Sequence, residues 1–297
     1  MSLSIRSIGL TPLRVAVIGG WLVLAVLTLL LSRADPIVPL LISIGFGAAF
    51  LSGLVGVGGA VILIPLLLYV PPLLGLPELG IKTVAGITIV QVTAAALSAA
   101  SGHRGRGHVD RRLVSVLGPT MIVASFVGAL ASAYFAPIVL EAVFASLAVF
   151  ASGLMLGLRN RAPAHTDGPP AFDQRVAVAI GVVVGLLAGF IGAGGAFFLA
   201  PVLLYGLRIP MRYVVGSSVG IVAVSSGAGL LGKALTGQVD WLLAAALVIG
   251  ALPGGRTGAT VSRRVTPYRL GLVLGFIILA VAIRMWLSIA AQVGLFG

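Results

Sequence analysis

The sequence predicts an all-α integral membrane protein built from two inverted-topology repeats. Each repeat is a glycine-broken re-entrant or half-helix hairpin plus three transmembrane helices, and one extra helix lies at the N-terminus. The 297 residues are 59% hydrophobic and 9% charged, with a mean hydropathy of +1.19, and a soluble chain of this size would not bury so much apolar surface. A glycine motif also occurs twice, and basic residues cluster in short loops between apolar segments. That clustering is typical of membrane topology signals, so no nucleic-acid partner is expected.

The glycine motif is Gly-x-x-Gly-x-Gly-Gly-Ala, followed by a proline and a tyrosine, and its two copies lie 136 positions apart. Its glycines are Gly53, Gly56, Gly58 and Gly59 in the first copy and Gly189, Gly192, Gly194 and Gly195 in the second. In a helix interior each glycine costs about 1 kcal/mol relative to alanine. The motif therefore predicts a helix break at the same point of both halves, as in transporters built from two repeats.

Most apolar segments have the length of one membrane span, about 20 residues. The segments are 13–31, 37–70, 79–100, 113–135, 137–158, 176–206, 212–232, 241–262 and 269–290. The two that carry the glycine motifs are longer, at 34 and 31 residues. A continuous helix of the first length would measure about 50 Å, well beyond an apolar core of about 30 Å. We therefore expect these two segments to fold back as hairpins.

Similarity between the halves continues beyond the motif at an offset of 130 positions. Gly86-Ile-Thr88 matches Gly216-Ser-Ser218, and a Gly-x-Val-Asp element ends at Asp110 and again at Asp240. We expect both aspartates to cap the helices that follow them. The predicted organisation is an N-terminal transmembrane helix in 1–36, repeat 1 in 37–158, a cytoplasmic linker in 159–175 and repeat 2 in 176–297.

The basic residues distinguish inverted from parallel repeats. If each glycine segment crosses the membrane once, the repeats are parallel and the two sides carry ten and eight basic residues. If each segment folds back, the repeats are inverted and the split is fourteen to four, with Arg256 omitted because it lies within a span. The second split follows the positive-inside rule far better. It places the N-terminus in the cytoplasm and the C-terminus outside, in a multi-pass protein of a bacterial inner membrane.

The two hairpin tips are predicted to form an anion site near the membrane midplane. Free N–H groups and the positive end of each second half-helix would point at the ligand there. The tip residues expected to bind substrate are Gly56, Gly58, Gly59, Gly192, Gly194 and Gly195. The alternative is that these glycines are small-residue packing positions between helices.

Polar side chains in the helix after each hairpin are further candidates for substrate binding. They are Thr88 and Gln91 in the first repeat and Ser217 and Ser218 in the second. Hydroxyls and amides are neutral donors suited to an oxyanion, and Gln91 lies one helical turn from Thr88. The alternative role for all four is hydrogen bonding between helices or to the helix's own carbonyls.

Arg256 is the basic residue that the sequence places well inside a span, after the break expected at Pro253-Gly-Gly. A charge inside the membrane is a candidate for substrate contact. Its repeat equivalent is Phe126, so it stands outside the symmetric core, and its side chain also has the length to reach the cytoplasmic interface.

Several kinds of chemistry lack the residues they need. No predicted span has a central Asp or Glu, which argues against a carboxylate proton relay or a buried cation site. The chain has no cysteine and no Walker, HExxH or GxSxG motif. We therefore expect no enzyme activity, catalytic residue, metal or cofactor. The expected partners are a small anionic substrate and the lipid bilayer, and no oligomeric state is predicted.

The paired glycine motifs, each followed by Pro and Tyr, resemble those of the sulfite exporter TauE/SafE family of membrane permeases. The Gly-Ile-Thr and Gly-Ser-Ser stretches are similar to that family's Gly-Thr-Ser element, with departures at Ile87 and Ser217. The resemblance covers about residues 37–290. It implies outward transport of small sulfur-containing anions such as sulfite or organosulfonates. The residues themselves leave open a passive anion channel or a non-transporting membrane scaffold.

Overall fold

The computed structural model describes residues 36–55, 59–102, 110–157, 172–207, 209, 211–262 and 267–293. These residues form α-helices and one π-helical turn, and no β-strand occurs among them. The predicted N-terminal helix 13–31, the tip glycines Gly56 and Gly58, and most of the linker 159–175 lie outside the described residues.

Ten α-helices are present in the described part of the chain. Those of the first half are α1 (Ile37–Val55), α2 (Ala60–Leu73), α3 (Ile81–Gly102), α4 (Arg111–Ala131) and α5 (Pro137–Gly157). Those of the second half are α6 (Gln174–Ile191), α7 (Ala196–Pro201), α8 (Met211–Leu235), α9 (Trp241–Ser262) and α10 (Pro267–Gln292), with a π-helical turn at Val202–Gly206 after α7. Six of these helices (α3, α4, α6, α8, α9 and α10) are long and apolar enough to span a membrane.

Helix starts follow the expected capping. Asp110 accepts hydrogen bonds from the backbone N–H groups of Arg112 and Leu113, at 2.8 and 3.2 Å. Asp240 does the same for the second and third residues of α9. Both predicted caps are confirmed, and they fix where α4 and α9 begin.

The second glycine motif interrupts its helix. Helix α6 ends at Ile191, and Gly192, Gly194 and Gly195 have φ angles of +76°, +63° and +74° before α7 begins. Side chains rarely adopt this left-handed backbone conformation, so glycine is required there. In the first half α1 ends at Val55 and α2 begins at Ala60, the equivalent place.

Helices of the two halves pack against each other through glycine. Helix α9 lies along α1, and α4 lies along α6 and α8. A Cβ added at Gly250 would collide with the carbonyl oxygen of Ile42, and one at Gly189 would collide with that of Ser125. Such backbone contact is how membrane helices associate without a hydrophobic driving force between them.

Helices α3 and α8 run antiparallel. Gly86, near the start of α3, lies against the backbone of Gln238, just beyond the end of α8. Further along, Ile89 approaches Gly229. Beyond the other end of α3, the backbone N–H of Asp110 donates to Ser217 near the start of α8, at 3.1 Å.

Helices α1, α3 and α9 all begin at one end of the molecule. Along α1 and α9, Gly45 lies against Leu247 and Phe50 lies against Gly258, so these two helices are parallel. Gln238, three residues before α9, contacts the first turns of α3 at Gly86. The chain between the start of α1 and the start of α3 therefore returns to the end it left.

Replacing Gly250 by alanine should lower the free energy of unfolding by about 1–3 kcal/mol, because the new methyl group overpacks a backbone contact. Thermal unfolding of the purified protein measures this. The control is Gly47→Ala on α1, where an added Cβ meets nothing within 4 Å and alanine favours the helix. Equal midpoints for the two variants would contradict the packing account.

Candidate functional site: a glycine break among buried polar groups

The break between α6 and α7 inserts between α3 and α8. A Cβ added at Gly192 would collide with the backbone of Ala85, and one added at Gly194 would collide with Val92 and lie 3.4 Å from Ser226 Cβ. Val92 is the twelfth of the 22 residues of α3. The break therefore lies near the middle of a spanning helix, at membrane depth.

Three buried side-chain atoms in the described part of the chain have no hydrogen-bond partner: Thr88 Oγ1, Gln91 Oε1 and Ser125 Oγ. Their side chains are 0%, 3% and 0% exposed. Leaving such a group unsatisfied in an apolar interior costs about 1–3 kcal/mol. Unpartnered buried polar atoms are rare in folded proteins and therefore need an explanation, such as a role in binding.

One of these orphan groups, the Thr88 hydroxyl, belongs to the face of α3 that meets the break. Thr88 is one turn beyond Ala85 and one turn before Val92, and both of those contact the break glycines. Gln91 lies one turn beyond Thr88, directly before Val92 in the chain. Ser125 comes from α4, where its hydroxyl lies beside Gly229 and its carbonyl beside Gly189.

The start of α7 adds backbone donors to this region. Gly195 precedes the helix, and its carbonyl accepts from the N–H groups of Phe198 and Leu199. The N–H groups before these have no intrahelical acceptor by geometry. Hydroxyl, amide and backbone donors in a dry setting suit an oxyanion, whose charge they stabilise without a full counter-charge.

The structure places Gly192 against Ala85 and Gly194 against Val92, on either side of Thr88 along α3, whereas Gly195 lies against Ala188 and Met121. It does not bring the following candidates to this part of α3. Ser217 is buried near the start of α8, where its hydroxyl accepts from the N–H of Asp110, and Ser218 is next to it. Arg256 has an exposed side chain on α9. Gly59 precedes α2, with an added Cβ 3.2 Å from Ser52.

Lys233 was missed at the sequence level. The apolar segment ends at residue 232, which assigns this lysine to a loop, whereas α8 continues to Leu235 and the side chain is 0% exposed. The structure therefore adds to Arg256 a second basic residue within a spanning helix, fully buried in its last turn. The sequence spacing of Ser226, Gly229 and Lys233 could have indicated this position, because residues three and seven apart lie on one face of a helix.

The Lys233 ammonium donates three hydrogen bonds. They run to Ser132 Oγ at 2.7 Å, Gln238 Oε1 at 2.9 Å and the carbonyl oxygen of Phe190 at 3.1 Å. Phe190 lies in the last turn of α6, just before the break. Among the described residues no cluster of His, Cys, Asp or Glu could hold a metal ion.

Helices of this length and composition, packed around a buried polar cluster, define a multi-pass membrane protein. The chain belongs to the sulfite exporter TauE/SafE family of membrane transporters, whose sequence profile matches residues 41–285.

Its relatives carry transporter names. One is a probable membrane transporter protein of Xylella fastidiosa (strain 9a5c), 30% identical over 261 residues, which covers 85% of this chain and 98% of that protein. Another is the probable membrane transporter protein YunE of Bacillus subtilis (strain 168), 25% identical over 264 residues, or 83% and 96% of the two chains. No solved structure matches the chain.

Replacing Thr88 by valine should separate ligand binding from folding. The variant removes a buried hydroxyl that has no protein partner, so the ligand-free protein should be as stable as wild type or up to about 1–3 kcal/mol more stable. Stabilisation by added sulfite should fall. Thermal unfolding with and without sulfite measures both effects.

Thr93→Val is the matched control on the same helix. Its hydroxyl already donates to the carbonyl of Ile89 at 2.7 Å, so its loss should leave sulfite stabilisation unchanged. Undiminished sulfite stabilisation in Thr88→Val would remove Thr88 from the site.

Proposed function

We propose that the protein is a secondary transporter that exports small sulfur-containing anions such as sulfite or organosulfonates. The observation that carries the proposal is the group of three unpartnered buried polar atoms around a glycine break at membrane depth. The Thr88 and Ser125 hydroxyls can each donate a hydrogen bond to a monoanion or dianion that must be released again, whereas Gln91 Oε1 is an acceptor. The sulfur chemistry comes from the family to which the chain belongs.

The proposed architecture is a pair of inverted repeats, each with a re-entrant hairpin. Antiparallel packing of α3 and α8 supports it, because these are equivalent helices of the two halves and parallel repeats would point them the same way. The return of the chain between the starts of α1 and α3 supports the first hairpin. In the second half, α6 runs parallel to α4, with Gly181 against Leu117 and Gly189 against Ser125. Ser217 near the start of α8 accepts from the backbone N–H of Asp110, the cap of α4, so α6 and α8 begin at the same end.

The proposed location is a bacterial inner membrane, with the N-terminus in the cytoplasm and the C-terminus outside. The fourteen-to-four distribution of basic residues supports this orientation. In the proposed mechanism one repeat rocks against the other, so the anion at the midplane meets each side in turn. A membrane potential negative inside favours anion exit by about 2.3 kcal/mol per charge at 100 mV. Export therefore requires no coupling ion.

Flux measurements on proteoliposomes test this function. Sulfite and sulfoacetate should be transported with saturation, whereas chloride should not compete. Flux that rises linearly with concentration and carries single-channel current would instead indicate a passive anion channel. No flux of any anion would favour a scaffold and overturn the proposal.

Replacing the tip glycines by valine should abolish transport while the protein still inserts. Gly195→Val forces a branched side chain into the left-handed backbone region, with an added Cβ 3.0 Å from Ala188. Gly59→Val adds bulk beside Ser52. Gly153→Val is the control, since that glycine is exposed on α5 with open space around it. Normal flux in both tip variants would refute the site.

A further inference from the structure

Lys233 lies in the last turn of α8, a helix long and apolar enough to span a membrane, and its side chain is fully buried. A protonated lysine has three N–H donors and no acceptor, and here each donor has one oxygen acceptor, on Ser132, Gln238 and Phe190. The hydrogen-bonding capacity of the charged form is therefore filled.

All three acceptors are neutral, and the neighbouring charge is another cation. Lys82, half-buried near the start of α3, donates to the carbonyl oxygen of Ala133 at 2.7 Å, one residue beyond Ser132. These are the two lysines of the chain. In the described part of the chain no carboxylate pairs with Lys233. Burying an ammonium without a counter-charge costs several kcal/mol, so its retention calls for a role that uses the charge.

The position of Lys233 points to the substrate site. Its ammonium bonds to Phe190, two residues before Gly192, and Gly192 packs on the turn of α3 that precedes Thr88. The charge therefore lies within one to two helical turns of the break. Ser226 and Gly229, on the same face of α8, contact the break and the orphan Ser125 respectively.

We propose that Lys233 is the specificity-determining charge of the transporter: its ammonium raises the electrostatic potential at the break and selects anions over zwitterions and neutral analogues. The proposal rests on the proposed function and identifies the residue that makes the same site prefer negative charge. The ammonium acts through space rather than by direct contact, since its three hydrogen bonds are filled by the protein.

The same contacts describe a purely structural tether, which holds the end of α6 to the end of α4 and to the loop before α9. Three substitutions separate the two roles. Lys233→Arg keeps charge and donors, Lys233→Gln keeps donors without charge, and Lys233→Met keeps neither. If Lys233 acts through its charge, Lys233→Arg should behave like wild type, and Lys233→Gln should behave like Lys233→Met. If Lys233 is only a tether, Lys233→Gln should behave like Lys233→Arg, and only Lys233→Met should differ.

The readout is the ratio of kcat/KM for dianionic sulfoacetate to that for zwitterionic taurine in proteoliposomes. At a separation on the order of 10 Å and an effective dielectric constant of about 20, loss of one charge should weaken monoanion binding roughly tenfold and dianion binding roughly a hundredfold. Lys233→Gln should therefore lower the ratio by at least about tenfold, mainly through KM for sulfoacetate. Lys233→Arg should change it by less than about threefold.

Lys82→Met is the matched control, because its half-buried ammonium at the helix start is screened by solvent and salt, and it should change the ratio by less than about threefold. An unchanged ratio in Lys233→Gln overturns the inference even if total flux falls. If Lys233→Met does not fold, the comparison of Lys233→Gln with Lys233→Arg still distinguishes the charge role from the tether. If the wild-type protein transports neither sulfoacetate nor taurine, the proposed function is wrong. If the wild type transports them and the variants keep the same ratio, only the role of Lys233 is wrong.

Discussion

Backbone contact at glycine, between helices that belong to different halves of the chain, is the interaction on which the rest of the structure depends. At Gly86, Gly192 and Gly250 an added Cβ would collide with a carbonyl group of the opposite half. Lipid offers no hydrophobic drive for helices to associate, so close approach and dispersion provide the adhesion. Because these contacts cross between halves, neither half has a complete packing surface alone. They also fix how far the second glycine break reaches along α3.

The position of the second glycine break along α3 determines which residues surround the candidate site. A helix break at membrane depth leaves backbone groups without partners, and such groups are tolerated where protein or a wet cavity surrounds them. Here the break meets α3 at Ala85 and Val92, and Gly189 just before the break meets Ser125 on α4. Thr88, Gln91 and Ser125 each keep an unpartnered buried atom. Lys233 adds a positive charge that is already solvated by the protein. The result is a dry region poor in negative charge, in which the Thr88 and Ser125 hydroxyls have no acceptor within the protein and can donate to an anion.

The sequence predicted the parts of this arrangement that are local. Four glycines in an overlong apolar segment predicted the helix break, and Asp110 and Asp240 predicted their caps, because backbone conformation and capping depend on a few adjacent residues. Thr88 and Gln91 were named from their helical spacing. Ser125 and Lys233 were not, because their significance depends on neighbours in other helices: Gly189 and Gly229 for Ser125, and Ser132 and Phe190 for Lys233. Hydropathy ended the span at 232, although a lysine with three internal acceptors remains within the helix. Ser218 is the repeat equivalent of Thr88, yet equivalent residues of antiparallel helices lie at different depths.

The central claim is that the two halves are inverted, each returning to its own side of the membrane. The chain has no cysteine, so single cysteines at Gln174 and Trp241, both exposed first residues of helices, report their side without background. Labelling with a membrane-impermeant maleimide in right-side-out and inside-out vesicles is the most direct test. The account predicts that Trp241→Cys is labelled only from outside and Gln174→Cys only from the cytoplasmic side. Labelling of both positions from the same side would mean parallel repeats and would contradict it.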